Sequence, residues 1–271
     1  MSPCILYRNS YEFAYSDIFH EQNIAAKYFP VYNFRTEIPE NSLVIGRYST
    51  KPYYDELEKE LLLKNSKLIN SYKEHMYIAD ICNWYETIKE FTPKTYTQWG
   101  SLPEHGKWVV KGKTHSRKHQ WKTHMFADGK ENLLKVIRLL MDDLTISQDG
   151  LVVREYVSLA KLDTAINDLP IVKEWRMFFY KENYLTGGFY WSNYFDELKD
   201  KYPLEVPQAA IEYAKEVAKI VSQHTNFFVL DVSEKEDGSY IIIEINDGQQ
   251  SGLSCVDPNN LYSGLKSLLQ E

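Results

Sequence analysis

The run from Phe227 to Gly248 constrains this chain more than any other segment. It reads Phe-Phe-Val-Leu-Asp231-Val-Ser-Glu-Lys-Glu-Asp237-Gly238-Ser-Tyr-Ile-Ile-Ile-Glu244-Ile-Asn246-Asp-Gly. Asp-Gly between two β-rich runs signals a two-residue type I′ turn, because both central positions need positive φ. A turn centred on Asp237 and Gly238 sets Asp231 directly opposite Glu244, with Asn246 on the same face as Glu244. The other face receives Leu230, Val232, Ile241, Ile243 and Ile245, an apolar set suited to a core. Two carboxylates opposed across a ladder stand roughly 5 Å apart at Cβ and repel each other. That placement calls for positive charge between them. Two carboxylates and an amide oxygen are hard ligands, of the kind Mg²⁺ uses when substrate phosphates complete its shell. The competing reading is an ordinary hairpin with acidic residues on its solvent face.

The chain of 271 residues is long enough to bury a full core as one large or two small domains. Hydrophobic content of 44% and charged content of 25% are those of a soluble globular protein. No apolar run approaches a membrane span, and the N-terminus lacks a signal-peptide pattern, so no membrane role is expected. Cys4, Cys82 and Cys255 form no CxxC pair and read as reduced thiols of a cytoplasmic protein. A net charge of −7 argues against a general nucleic-acid binder, while leaving room for a local basic patch.

Residues 1–92 alternate strand and helix signals, with strands at 4–7 and 42–46 and a helix over 52–63 carrying Tyr53, Leu57 and Leu61 on one face. This punctuation predicts a small α/β lobe. Thr92-Pro93-Lys94-Thr95 breaks it and marks a boundary. Beyond it, strands are expected at 107–111, 151–157, 175–180 and 184–191. Helices are expected at 130–144, with Leu133, Ile137, Leu140 and Leu144 as its stripe, at 207–222, with Ile211, Ala214, Ala218 and Val221, and at 259–270.

Two further clusters carry chemistry. Residues 107–124 hold six Lys or Arg and three His with no acid, within an acidic chain. A basic, small-residue loop leaving a strand suits polyphosphate, and Gly112 permits close approach, although the P-loop pattern is absent. Alternatives are a solvated basic loop, or Trp108 and Trp121 stacking the bases of an RNA. Zinc ligation by His115, His119 and His124 is disfavoured, since no cysteine pair accompanies them. The other cluster is Arg154-Glu155-Tyr156-Val157 with Glu174-Trp175-Arg176 on the next strand. A strand arginine facing a core or cleft needs an anion, and its sequence neighbours point the other way. A phosphate or substrate carboxylate is therefore expected at Arg176, and less strongly at Arg154.

In this order, a strand lysine with a basic loop, a Glu-Tyr-Val connector, a Glu-x-Arg strand and Asp231…Glu244-Ile-Asn246, the chain resembles the ATP-grasp superfamily. It is most similar to the small bacterial and phage clade named for two arginines and a lysine. The resemblance spans nearly the whole chain and includes the junctions Leu68-Ile-Asn-Ser-Tyr and Thr92-Pro-Lys-Thr. One departure is that 76–80 lacks the lysine many members carry before the second junction.

The resemblance implies an α/β and α+β protein: an ATP-grasp domain over 93–271, with lobes at about 93–154 and 158–271, preceded by a lobe over 1–92. It further implies ATP held between the lobes. Lys111, Lys113, Ser116 and Arg117 would meet its phosphates, and Glu155, Tyr156 and Val157 its adenine. Asp231, Glu244 and Asn246 would hold one or two Mg²⁺, and Arg176, with Lys111 and Arg154, would serve phosphoryl transfer. Gly248, Ser251 and Gly252 would meet the acceptor carboxylate through backbone N–H groups. The implied reaction is ADP-forming ligation of a carboxylate to an amine (amino acid, peptide or protein) through an acyl phosphate. A phosphotransferase and a non-catalytic nucleotide- or RNA-binding module are the alternatives, and the choice of ligase rests on fold analogy.

Overall fold

The computed structural model describes residues 1–7, 16–48, 53–98 and 102–270. The N-terminal lobe runs β1 (Ser2–Tyr7), α1 (Ser16–Ala25), β2 (Val31–Tyr32), β3 (Ser42–Arg47), α2 (Tyr54–Leu63) and β4 (Lys67–Leu68). Its parallel sheet has the order β2-β1-β3-β4. Both faces are covered, which is why these strands read as unbroken apolar runs. Cys4, Leu6, Val44 and Leu68 pack with Tyr54, Leu57 and Leu61 of α2. Ile5, Tyr7 and Ile45 point the other way, towards Ile24 and Ala25 of α1. Pro52, the expected start of α2, lies outside the described residues.

Helices α3 (Tyr72–Ala79) and α4 (Ile81–Ile88) follow, then β5 (Thr95–Tyr96), β6 (Lys107–Gly112), β7 (Phe126–Asp128), α5 (Lys130–Met141), α6 (Leu144–Ser147) and β8 (Leu151–Glu155). The second sheet, β5-β8-β6-β7, is antiparallel and packs Trp108, Val110 and Val153 on Leu133, Val136, Ile137 and Leu140 of α5. Leu144 does not belong to that stripe. The helix ends at Met141, and Leu144 stands 75% exposed while Val136 takes the fourth buried place. Trp108 is 1% exposed in this core, so it is not available to stack a base.

The remaining elements are β9 (Lys161–Thr164), β10 (Pro170–Val172), β11 (Glu174–Tyr180), β12 (Asn183–Phe189), α7 (Phe195–Leu198), α8 (Gln208–Val221), β13 (Phe227–Glu234), β14 (Tyr240–Asp247) and α9 (Pro258–Gln270). The β9–β10 ribbon is not evident from the sequence, since its residues lack strong alternation. The third sheet, β12-β11-β13-β14, is antiparallel throughout. One face carries Trp175, Met177, Phe179, Phe228, Leu230 and Val232 against α4 and α8. In α8 the buried stripe includes Ala210 and Val217, while the expected Ile211 is only half-buried.

The opposite face changes character along its length. Phe178, Phe227 and Val229 join the N-terminal core together with Leu261, Tyr262 and Leu265 of α9. Two positions further along, Arg176 and Asp231 leave that core for a cleft. Helices α3 and α4 thus dock on the third sheet despite preceding Thr92, and α9 closes back on α1.

The Asp231–Glu244 pairing is present, although the turn differs from expectation. Lys235 N–H donates to Ser239 O at 2.7 Å and Gly238 N–H to Lys235 O at 2.9 Å, closing a three-residue loop with Gly238 at φ 82°. Such a loop moves the register by one residue. A bulge between Asp231 and Val232 moves it back, with Val232 opposite Ile242. The core side chain is therefore Ile242, and Ile241 and Ile243 lie only half-buried. Arg154 and Thr92 donate to the carbonyls of Ile243 and Ile242 at 2.7 and 2.9 Å, covering the β14 edge from the second sheet.

Arg47, 0% exposed, ties the N-terminal lobe to the third sheet. It pairs with Glu21 at 2.8 Å, and its other guanidinium nitrogen donates to Gly248 O. Glu21 also accepts from Tyr262 Oη. Burial alone would lower the Arg47 pKa, but Glu21 and the surrounding tyrosines hold it well above its usual value. Arg47→Leu should destabilise the protein by about 3–5 kcal/mol, since it strands a buried carboxylate. Denaturant unfolding measures this, and a loss below about 1 kcal/mol would contradict the role.

Candidate active site

The cleft lies between the second and third sheets, and its charged side chains come from facing strands. β11 and β13 pair Arg176 with Asp231 in register. The Arg176 guanidinium donates from Nε (2.9 Å) and Nη2 (2.8 Å) to the two oxygens of Asp231, and from Nη1 to Gly252 O at 3.0 Å. Asn246 donates to the same carboxylate at 3.2 Å. Across the cleft, Lys111 of β6 is paired with Glu244. The positive charge between the opposed carboxylates is thus supplied by the protein itself. Arg176 meets an internal acid, Asp231, where an external anion was expected, and Glu174 is not its partner.

Burial alone would raise the Glu244 pKa, but Lys111, Lys118 and Arg154 together hold it down to about 2. Arg154, 5% exposed, donates to Thr92 Oγ1 and Ile243 O at 2.7 Å, and burial lowers its pKa to about 10 despite the nearby Glu244. Glu174 lies beside them with Oε1 buried and unpaired among the described residues. Its desolvation pushes its pKa up, against the pull of Lys118.

The basic loop divides its cations. Arg117 makes a bidentate pair with Asp143 at 2.6 and 2.8 Å, and Lys113 lies along Gly150. Neither lines the cleft. Ser116 does, and so does Lys118, which the sequence offered only as one cation among six. Lys118 Nζ sits 2.8 Å from Tyr190 Oη and 5.2 Å from the Trp191 ring centre. Burial works against its charge, but Tyr190, Glu174 and Glu244 raise its pKa on balance. A 3₁₀ turn over Lys118–Gln120 and a π-helical turn over Trp121–Met125 bring Lys118, Trp121 and Met125 to the cleft wall.

Two cavities flank the charged centre. The first, about 120 Å³, is largely apolar, with Val109, Trp121, Met125, Leu169, Val172 and Trp191 in its wall. Glu155, Tyr156 and Val157 line it too, while Lys111, Lys118, Arg154, Glu174 and Glu244 close its inner end. The second, about 190 Å³, is polar and is bounded by Arg176, Asn246, Asp247, His75, Gln250 and Ser251, with Gly252 and Thr114.

The backbone N–H groups expected to greet a carboxylate here are largely committed. Gly248 donates to Phe227 O at 3.1 Å, Gln249 to Asp247 Oδ1 at 2.8 Å, and Gln250 and Ser251 to Asp247 O at 3.0 Å. The segment is a tight turn capped by Asp247, so side chains face the cavity instead. Gly248 is required there because a Cβ would stand 2.7 Å from the Phe227 ring.

Asp231, Glu244 and Asn246 offer the oxygen-only donor set of a hard cation, and Glu174 leaves an unpaired, buried oxygen beside them. Among the described residues no group of three or more His, Cys, Asp or Glu forms a metal site. An amide-containing set such as this one is of another kind, and it fits Mg²⁺.

A pH titration tests the electrostatics. A depressed carboxyl pKa contributes stability that is full above the unfolded value of about 4.3 and is lost as pH falls towards the folded value. With Glu244 at about 2, wild type should exceed Glu244→Gln in stability at neutral pH, and the gap should narrow steadily below about pH 4.5. A gap independent of pH would contradict the pairing.

Similar proteins agree with this architecture. No curated protein matches the sequence. Among solved structures, D-cycloserine synthetase DcsG superposes with TM-score 0.61 at 10% identity, over 99% of this chain and 100% of that one. D-alanine–D-alanine ligase from Bacillus anthracis, complexed with ATP, gives 0.58 at 11% identity, over 100% and 98%. The ATP-grasp ligase PsnB, complexed with minimal precursor, Mg and ADP, gives 0.58 at 10% identity, over 98% of each chain. At such identities the likeness speaks for the fold. The sequence itself matches, over residues 98–265, the ATP-grasp domain model for the third family of the clade named for two arginines and a lysine, and the chain belongs to that ATP-grasp family.

Proposed function

We propose that this chain is an ATP- and Mg²⁺-dependent ligase that joins a carboxylate to an amine and releases ADP. The observation that carries the reading is the placement of the acidic pair between two cavities of opposite character. The apolar cavity, with Glu155, Tyr156 and Val157 in its wall, suits a nucleobase. The polar cavity beyond Arg176 and Asn246 suits an acceptor. Solved neighbours complexed with ATP, or with a minimal precursor, Mg and ADP, support a nucleotide and an acceptor as ligands. No helix among the described residues is long and apolar enough to cross a membrane, and the three cysteines are free, which supports a cytoplasmic setting.

Phosphoryl transfer demands positioning and charge neutralisation more than covalent help. Lys111 and Lys118 would meet the polyphosphate, in exchange for the contacts they now make with Glu244 and Tyr190. Asp231, Glu244 and Asn246 would hold Mg²⁺, which supplies charge neutralisation for the phosphates. Arg176, freed in part from Asp231, would steady the transferring group on the acceptor carboxylate. The acyl phosphate would have to be shielded from water during transfer, since it would otherwise hydrolyse.

The direct test is ADP release across a panel of carboxylate and amine pairs, with mass spectrometry of products. ADP with an amide product is expected, whereas a phosphorylated alcohol would establish a phosphotransferase. Arg176→Lys keeps the charge but loses the planar fork, so kcat should fall by a factor on the order of 10²–10³ with little change in ATP affinity. Unchanged kcat with a lowered melting temperature would reduce Arg176 to a structural partner of Asp231.

A further inference from the structure

The polar cavity contains a histidine for which the ligase reading has given no role. His75 comes from α3, is 5% exposed and lines the cavity wall. Its Nδ1 lies 2.9 Å from Asp247 Oδ2. The other oxygen of Asp247 accepts from the Asn70 side chain at 2.9 Å and the Gln249 backbone at 2.8 Å. A carboxylate that accepts on both oxygens makes Nδ1 the donor, which leaves Nε2 as the nitrogen that can exchange a proton with a ligand. Tyr54 stacks on the ring at 4.5 Å and 21°, and its hydroxyl donates to Asn70 O at 2.7 Å, so the imidazole plane is fixed.

Nε2 makes no hydrogen bond to a described residue. Gln250 Nε2, in the wall of the same cavity, is buried and likewise has no partner among the described residues. A buried donor is rarely left so, and Gln250 Nε2, beside a histidine of the same cavity wall whose Nε2 is not engaged, points to a ligand that meets both. The cavity is also polarised. Arg176 stands at the end next to Asp231, and the His75–Asp247 pair stands in another part of the wall. An acyl phosphate suits the first and an ammonium group the second.

Resting on the ligase reading, we propose that His75 is the base that deprotonates the amine acceptor, with Asp247 as its positioning residue. The ammonium gives one proton to His75 Nε2, and Asp247 stabilises the imidazolium so formed. The amine lone pair attacks the acyl-phosphate carbonyl carbon, and the C–N bond forms. The C–O bond to phosphate breaks, and phosphate leaves with that electron pair. The second N–H proton departs with the phosphate, and His75 returns its own to water.

The test compares two nucleophiles in one tube. Wild type, His75→Asn and His75→Gln are given ATP, Mg²⁺, the twenty proteinogenic amino acids together with the carboxylates and amines of the panel above, and excess hydroxylamine at about pH 7.5, where hydroxylamine is largely neutral and amino acids are ammonium ions. Mass spectrometry then measures amide against hydroxamate. Because both products come from the same protein, any loss of folded enzyme cancels in the ratio. The amide-to-hydroxamate ratio should fall by a factor on the order of 10² in both variants, the scale of general-base catalysis. A ratio unchanged from wild type would overturn the role of His75 while leaving the ligase reading intact. A wild type forming neither product would overturn the ligase reading, and this proposal with it.

Discussion

The centre of this structure is a pair of carboxylates that the fold forces together and two cations keep there. Asp231 and Glu244 face each other across β13 and β14, where unscreened repulsion would open the ladder. Arg176 neutralises one from the neighbouring strand, and Lys111 the other from the opposing sheet. The second pair therefore also ties the two sheets of the cleft to each other. A polyphosphate with its metal carries both kinds of charge, so it can take over the acids and the bases together. The cleft is in this sense balanced by its own side chains.

The N-terminal lobe takes a direct part in the site. Gly46 and Tyr48, flanking Arg47 at the end of β3, hold Gln249 through its side chain and carbonyl, both at 3.0 Å. Asn70 binds Phe227 and Asp247, and α3 adds His75. The wall of the polar cavity thus joins residues of the third sheet and the turn after β14 to His75, Ile78 and Ala79 of α3. The α3 part of that wall lies far in sequence from the acidic hairpin, whereas Asn246 to Gly252 belong to it or follow it directly.

Much of this was legible in the sequence, for identifiable reasons. Strands buried on both faces and helices with a 3.6-residue stripe announce themselves, as β1, β3, α5 and α8 do. A two-residue turn and the actual three-residue loop give the same Asp231–Glu244 pairing, because the longer loop and a bulge offset each other. Only core side chains between the two, Ile242 in place of Ile241 and Ile243, reveal the difference. The basic loop was recognisable as a cluster, but no pattern in it shows that Lys118 turns inward while Arg117 finds Asp143. That choice depends on a partner 26 residues away and on a π-helical turn. His75 and Gln250 gave no signal, since a single histidine on an amphipathic helix reads as core.

The central claim is that Asp231 and Glu244 are released to a metal only when a nucleotide draws Lys111 and Arg176 away. Electron paramagnetic resonance of Mn²⁺, titrated with and without the non-hydrolysable β,γ-imido analogue of ATP, measures this directly. The account predicts bound Mn²⁺ with the analogue, little without it, and loss of the bound signal in Asp231→Asn. Equal Mn²⁺ binding in the absence of nucleotide, or an unchanged signal in Asp231→Asn, would contradict it.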